Sequence, residues 1–421
     1  MRFPTVAAWL AWQQAAHPVE IDPGLERVGE AWRRLRVPWH AAVLTVGGTN
    51  GKGSVTAYLD SMLTDAGYET GLFTSPHLTR YNERIRVHGR EATDAELLEA
   101  FAMIDAARGD VSLTFFEWNA LAAFLVFARA RVDVAVLEVG MGGRLDAVNL
   151  LDADVAAVVS VGIDHREWLG GTVEAIGAEK AGIYRAGRPA IFGGRRPPRS
   201  LVAYAAAIGA RLKRIGTDFD FVERADGWDY VGFGSRRREL PLPGLAGTAQ
   251  LGNAAVALAV LEAAEPRLLV PDEAVRSGLA RTSLPGRFQV FGAAPEWILD
   301  VAHNPQAAET LAASLAARPC AGQTWAVCGI LGDKDIEGIV AALSGVIARW
   351  IAVGLEGNRA LPSGVLAERI RRAGAHHVSA AADVAAGLAV AQGGMQPRDR
   401  AVVFGSFLTV GPALELFAAR R

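Results

Sequence analysis

The sequence predicts an α/β fold with mostly parallel sheets, and three observations carry that reading. Short continuous apolar runs recur along the chain, as strands buried on both faces require: AVLTV (42–46), VDVAVLEVG (132–140), DVAAVVSVG (154–162), WILDVA (297–302), TWAVCGI (324–330), WIAVGL (350–355) and AVVFGS (401–406). Between them lie Ala/Leu-rich stretches with helical spacing, such as DAELLEAFAMIDAAR (94–108) and NPQAAETLAASLAAR (304–318), with Thr93 and Asn304 placed as N-caps. A glycine-rich loop, GGTNGKGS (47–54), joins the first run to the helical pattern VTAYLDSMLTDAG.

The 421 residues are too many for one core, and at roughly 150 residues per domain they predict two or three domains. Residues 216–247 alternate polar and apolar positions around an Ala225-Asp226-Gly227 turn, which predicts antiparallel hairpins appended to the first domain. SLPGRFQV (283–290) supplies a Pro-Gly break before the alternation resumes, so a hinge is expected near Pro285 and Gly286. The expected domains are 1–287 and 288–421, the second a smaller Rossmann-like α/β unit.

Composition narrows the function classes. With 51% hydrophobic and 21% charged residues the chain has the apolar area to fold, which excludes disorder. Lys plus Arg (43) nearly balance Asp plus Glu (45), and a net charge of -2 lacks the excess cations that a nucleic-acid backbone demands. Cys320 and Cys328 are too few for a disulfide framework or a four-ligand metal site and suit a reducing compartment. The apolar stretch from Ala120 to Ala128 is about half of the ~18 residues that span a bilayer. MRFPTVAAWLAWQQ reads as an amphipathic first helix, not a cleavable leader. The expectation is a cytoplasmic monomer acting on small molecules, with no nucleic-acid or membrane partner.

The strand, glycine loop and helix occur in the order that binds a nucleotide. Backbone N–H groups over Thr49, Asn50, Gly51, Lys52, Gly53 and Ser54 can converge on phosphate oxygens, the helix N-terminus adds partial positive charge, and Lys52 reaches the outer phosphates. This makes the first domain a P-loop nucleotide-binding domain. The loop departs from G-x-x-x-x-G-K-[ST]: its first glycine is one residue closer, and Gly53 stands where a magnesium-holding hydroxyl belongs. The metal is therefore held at least partly from elsewhere, by oxygen donors at the C-terminal ends of strands. Glu138 ends VDVAVLEV, and its glycine-rich continuation GMGGRLDAVN permits close approach. His165, beside Asp164 in SVGIDHREWLGGT, reads either as a satisfied structural histidine or, at this strand end, as part of the site. Lys180, in GTVEAIGAEKAGIYR, reads either as a solvated Glu-Lys helix face or as a site residue. A protonated lysine repels magnesium, so a role at the metal requires that it be chemically changed.

Nine motifs in order, GGTNGKGS, TSPHLTRYNERIRVHG, SLTFFEWNALAAF, LEVGMGGRLDAVN, SVGIDHREWLG, EKAGIYR, LPGRFQV, DVAHNP and VVFGSF, resemble the folylpolyglutamate synthases, especially the bacterial bifunctional form with dihydrofolate synthase activity. That family stands with the Mur ligases, ATP-dependent enzymes that form amide bonds. The resemblance runs from GLERV (24–28) to the final helix. It implies that Ser75 and Glu138 hold one magnesium between the nucleotide phosphates, that His165 serves a second, and that Lys180 carries a carbamate whose oxygen is a metal ligand. ATP and two magnesium ions are the implied cofactors, with potassium a further candidate. Asn253, Arg287 and Asp300 match nucleotide-contacting positions. His303 and Ser406 match positions associated with the incoming glutamate, and Asp22, Thr114 and Asp146 match the pterin-substrate region. GTAQLGN stands where many members carry a His-Gln pair before the asparagine, which leaves Gln250 unassigned.

The implied reaction joins L-glutamate to dihydropteroate and to folates through an acyl phosphate. Lys52, Arg287 and two magnesium ions neutralise charge during phosphoryl transfer, while His303 orients glutamate or assists proton removal after closure at the hinge. The competing readings are a folylpolyglutamate synthase alone, another Mur-type ligase, which would differ in SPHLTRYNERIRV and SLTFFEW, and a nucleotide-dependent switch. A switch has no need of DVAHNP and GSF in a second domain.

Overall fold

In the computed structural model, which describes residues 2–419, the apolar runs become strands of two separate parallel-rich sheets. The first sheet contains β1 (Ala42–Gly47), β2 (Thr70–Phe73), β3 (Ile85–Val87), β4 (Arg90–Glu91), β5 (Val134–Glu138), β6 (Val155–Val158), β7 (Pro189–Phe192) and β8 (Arg211–Arg214), in the order β4-β3-β2-β5-β1-β6-β7-β8. Pairing is parallel from β2 through β8 and antiparallel only at the β2/β3 and β3/β4 edge. Every residue of β1, β2, β5 and β6 is buried, which explains why their sequences show no polar alternation. In register, Val46 lies opposite Glu138, Gly47 opposite Val158 and Phe73 opposite Leu137, so four strands end on one edge. That edge is where an open α/β sheet binds its ligands.

The helices of this unit are α1 (Val6–Ala15), α2 (Glu26–Leu35), α3 (Lys52–Asp65), α4 (Asp94–Arg108), α5 (Phe115–Ala130), α6 (Arg166–Leu169), α7 (Val173–Ala181), α8 (Arg199–Ala207), α9 (Gln250–Ala264) and α10 (Asp272–Arg281). Thr5 caps α1 by accepting from the Ala8 N–H at 3.2 Å. Full capping boxes start α4 (Thr93 with Glu96) and α5 (Thr114 with Glu117), each satisfying backbone groups at both positions. α3 begins at Lys52, not at Val55 where the apolar pattern starts, because Gly51 takes a left-handed φ of 87° and turns the chain directly into the helix. α5 is buried continuously from Glu117 to Phe127, and its rings join Trp9 and Phe101 in the core. Each fully buried large apolar side chain of that kind stabilises the unit by ~1.5–3 kcal/mol.

Residues after the first sheet form the expected antiparallel hairpins: β9 (Asp220–Arg224), β10 (Gly227–Val231) and β11 (Arg236–Leu240) make a separate sheet in the order β11-β10-β9. The smaller unit has β12 (Gln289–Phe291), β13 (Glu296–Leu299), β14 (Thr324–Cys328), β15 (Arg349–Val353), β16 (Val378–Ala381) and β17 (Arg400–Phe404), ordered β12-β13-β17-β14-β15-β16. Its helices are α11 (Pro305–Ala317), α12 (Ile336–Leu343), α13 (Ser363–Arg372), α14 (Val384–Gly394) and α15 (Phe407–Ala418). Ile298, Ala326, Ala352 and Val402 face one apolar layer, while Leu299, Val327, Val353 and Val403 face another. That alternation is what a sheet covered on both sides produces.

The larger unit takes the chain up to His77, then Tyr81–Gly244 and Leu251–Thr282. The smaller takes Leu78–Arg80, Leu245–Gln250 and the chain from Ser283 onward. Among the described residues no helix is long and apolar enough to cross a membrane. Cys320 and Cys328 are unpaired thiols.

Candidate active site

The glycine loop leaves β1 and is stapled to the segment that follows β6. The Thr49 N–H donates to Ser160 O at 2.9 Å and the Asn50 N–H to Ser160 Oγ at 2.9 Å, while the Gly162 N–H donates to Thr49 Oγ1 at 2.9 Å. These bonds fix the loop in an open arc. At Gly51 a Cβ would lie 2.7 Å from Asn253 Oδ1 and 2.8 Å from Val159 Cγ1, so Asn253 of α9 stands directly against the loop. Lys52 Nζ donates to Gly48 O (3.1 Å) and Thr49 O (3.3 Å), which holds its ammonium over the loop's own backbone. Gly53 and Ser54 are buried in the first turn of α3.

Glu138 closes β5 beside this loop, 4% exposed, and its Oε2 accepts from the Ser75 N–H at 3.3 Å. A buried carboxylate and a serine at adjoining strand ends are the oxygen donors a hard divalent cation takes. His165 begins α6 with a left-handed φ of 51°, and its ring Nε2 lies 4.0 Å from Asp164 Oδ2. Among the described residues no three His, Cys, Asp or Glu side chains gather as metal ligands.

Lys180 sits in the last turn of α7 and is 4% exposed. The solvated-helix-face reading is therefore corrected: Glu179 turns outward to Arg144 (2.9 Å), and Lys180 turns inward. Burial, reinforced by the charge of Lys52 and opposed by Asp164 and Asp146, pulls its amine down to about 7. An amine that is half neutral near pH 7 is the nucleophilic form that adds carbon dioxide.

Asp146, Thr114 and Asp22 occupy different local settings. Asp146 caps the 3-10 turn Ala147–Leu150, accepting from the Val148 N–H (3.1 Å) and Met141 N–H (2.9 Å), and burial pushes its carboxyl up to about 6. Thr114 Oγ1 is occupied as the cap of α5. Asp22, in the loop between α1 and α2, pairs with Arg27 Nη1 at 2.7 Å and lies 3.1 Å from His17 Nε2. Arg27 in turn reaches Glu117 Oε1 at 3.2 Å, and Glu117 Oε2 accepts from the Thr114 N–H at 2.7 Å. Asp22 and Thr114 thus belong to one network. His17, Arg27 and Glu117 escaped sequence reasoning because their partners lie up to 95 positions away.

In the smaller unit the assigned residues gather where β13 and β17 end. Asp300 accepts from the Phe288 N–H (2.9 Å) and Ala302 N–H (2.8 Å), and burial raises its pKa against the charge of Arg287. Arg287 lies over the Phe407 ring at 5.4 Å. His303 Nδ1 donates to Val301 O at 2.8 Å, which leaves Nε2 as the acceptor whenever the ring is neutral. Ser406 Oγ accepts from the Leu408 N–H at 3.1 Å as the cap of α15. The loop after β14 adds Lys334, 9% exposed and 3.7 Å from Asp333. Its signal in the sequence was GDKD in a glycine-containing loop after a strand.

Profiles of the Mur ligase middle domain match residues 46–261, and those of the Mur ligase glutamate ligase domain match 286–407. Together with two α/β units and a strand-end phosphate loop, they define a Mur ligase. The dihydrofolate synthase/folylpolyglutamate synthase of Escherichia coli is 43% identical over 417 residues, covering 99% of this chain and 96% of that protein. The Mycobacterium tuberculosis counterpart is 35% identical over 443 residues, covering 94% and 90%. A solved structure of E. coli FolC in complex with DHPP and ADP matches with a TM-score of 0.95 at 42% identity, over 99% of both chains. A bifunctional folylpolyglutamate synthase/dihydrofolate synthase with Mn, AMPPNP and L-glutamate bound matches with a TM-score of 0.92 at 42% identity, over 99% of this chain and 98% of the other. The chain belongs to the bifunctional dihydrofolate synthase/folylpolyglutamate synthase family.

Proposed function

We propose that this chain is an ATP-dependent ligase that couples L-glutamate to dihydropteroate and to folates through an acyl phosphate. The observation that carries the reading is the glycine loop held open at the end of β1, with Asn253 against it and Glu138 at the end of the neighbouring strand, in a chain that matches such ligases over nearly its whole length. A carboxylate resists amide formation because its oxygen leaves poorly, and phosphorylation by ATP removes that obstacle. The loop N–H groups and Lys52 hold the phosphates, and Asn253 backs the loop. Ser75 and Glu138 would hold one magnesium, and His165 with carbamylated Lys180 a second, supplying charge neutralisation at the transferring phosphoryl group. Arg287 and Asp300 serve the nucleotide from the smaller unit. His303 and Ser406 receive glutamate, whose neutral amine attacks the acyl carbon, and His303 Nε2 is the acceptor for the proton that amine releases. Two unpaired thiols suit action in the cytoplasm, and we read the enzyme as a monomer.

The assay that tests this supplies ATP and glutamate with dihydropteroate or tetrahydrofolate in turn and measures ADP and amide product. Amide formed in proportion to ADP is expected with both acceptors; ADP without amide would sink the ligase reading, and product from the folate alone would reduce it to a folylpolyglutamate synthase. Gly51→Ala is expected to weaken ADP binding at least a hundredfold, since alanine is strained at φ 87° and its Cβ meets Asn253 and Val159 at under 3 Å. Calorimetric titration that found unchanged affinity would show that the loop does not need this shape.

A further inference from the structure

Arg84 lies within TSPHLTRYNERIRVHG, yet motif matching gives it no role. It ends the 3-10 turn Tyr81–Arg84 before β3 and is 7% exposed. Its Nε donates to His77 Nδ1 at 2.8 Å, and among the described residues this is the side chain's one hydrogen bond. The guanidinium lies 5.9 Å from the Tyr81 ring centre and 5.6 Å from that of Phe115. Among the described residues no carboxylate comes within ion-pair distance, and Glu138 and Glu83 attract it only from further off.

His77 does not balance the charge, because its Nδ1 accepts the Arg84 Nε–H and a ring nitrogen that accepts carries no proton, so the imidazole is not a cation and supplies no negative charge. Ring contacts of this kind stabilise a cation weakly, whereas burying a cation that lacks a counterion is strongly unfavourable. The burial of Arg84 therefore makes poor structural sense by itself. Its setting supplies a reason. On one side the Thr74 N–H donates to Arg84 O (2.9 Å), and the next residue, Ser75, donates to Glu138. On the other side Phe115 is the first residue of α5, next to Thr114. Arg84 thus adjoins, through its backbone, the segment that leads to Ser75 and, through its guanidinium, the start of the helix that Thr114 caps.

We infer that Arg84 is an anion-binding catalytic residue that receives the acceptor's carboxylate on Nη1 and Nη2 and then the phosphoryl oxygens of the acyl phosphate; this rests on the ligase reading above. In that step a carboxylate oxygen bonds to the γ-phosphorus while the bond from phosphorus to the β,γ-bridging oxygen breaks, its electron pair leaving on ADP. No proton moves. A planar guanidinium matches two oxygens at once, which an ammonium cannot do. His77 is its positioning residue, fixing the plane through Nε.

The test uses Arg84→Lys, which keeps the charge but loses the fork, and Arg84→Gln, which loses the charge. Folding of each is verified by ADP binding and melting temperature, and Arg84→Gln is expected to melt at or above wild type because it removes an unpaired buried cation. With ADP present, wild type is expected to bind dihydropteroate at least tenfold tighter than its neutral carboxamide analogue. Both variants lose that preference, kcat/KM for dihydropteroate falls at least a hundredfold, and KM for ATP stays within threefold. A folded variant of either kind that keeps the acid preference and kcat/KM within threefold of wild type overturns the inference. If instead wild type forms no amide, the ligase reading itself fails.

Discussion

Glu138→Ala is expected to leave the protein folded and to reduce ATP-dependent amide formation a thousandfold or more. Glu138 ends a fully buried strand beside the glycine loop. Removing a buried carboxylate relieves its desolvation, so the melting temperature should hold or rise, the usual sign of a residue kept for function. The catalytic loss follows from charge: losing ~4 kcal/mol of stabilisation at the transferring phosphoryl group corresponds to about a thousandfold in rate. Product formation and thermal melting measured together decide it. Undiminished turnover in the folded variant would refute the assignment.

Lys180→Met is expected to abolish turnover to a similar degree while stabilising the unmodified protein. The folded-state amine titrates near 7, against 10.5 for an ordinary lysine, so between those values the unfolded chain holds more protons and stability rises with pH. Below pH 7 the full burden of about 5 kcal/mol opposes folding, and it fades toward pH 10.5. With bicarbonate excluded, wild type should therefore melt higher at pH 9 than at pH 7, and Lys180→Met should melt above wild type at pH 7. Added bicarbonate should raise both the activity and the mass of wild type, the latter by one carbon dioxide. Full activity in Lys180→Met, or an unmodified lysine in active enzyme under bicarbonate, would remove Lys180 from the metal.

The central strands were legible because burial on both faces leaves a continuous apolar run. β8 was not: RLKR is an edge strand, half exposed and charged, paired on one side only. The short β3 and β4 likewise carry too few residues to show a period. The glycine loop and Glu138 could be read because strand, loop and helix are consecutive. The inward turn of Lys180 could not, since AEKA has the look of a solvated helix and nothing in the sequence says which of Glu179 and Lys180 faces the interior. Arg84 and Arg27 were invisible for the same reason, as an arginine in a sequence does not announce whether its partner is present. The assignment of Leu78–Arg80 and Leu245–Gln250 to the smaller unit left no mark on their composition.

The chain of contacts from Asp22 through Arg27 and Glu117 to the backbone of Thr114 anchors the loop between α1 and α2 to the start of α5. The residues we propose for the acceptor and those we propose for the phosphates are thus fastened separately within one unit. On the ligase reading, substitutions in that loop are expected to change which acid is accepted while Lys52 and Glu138 stay where they are.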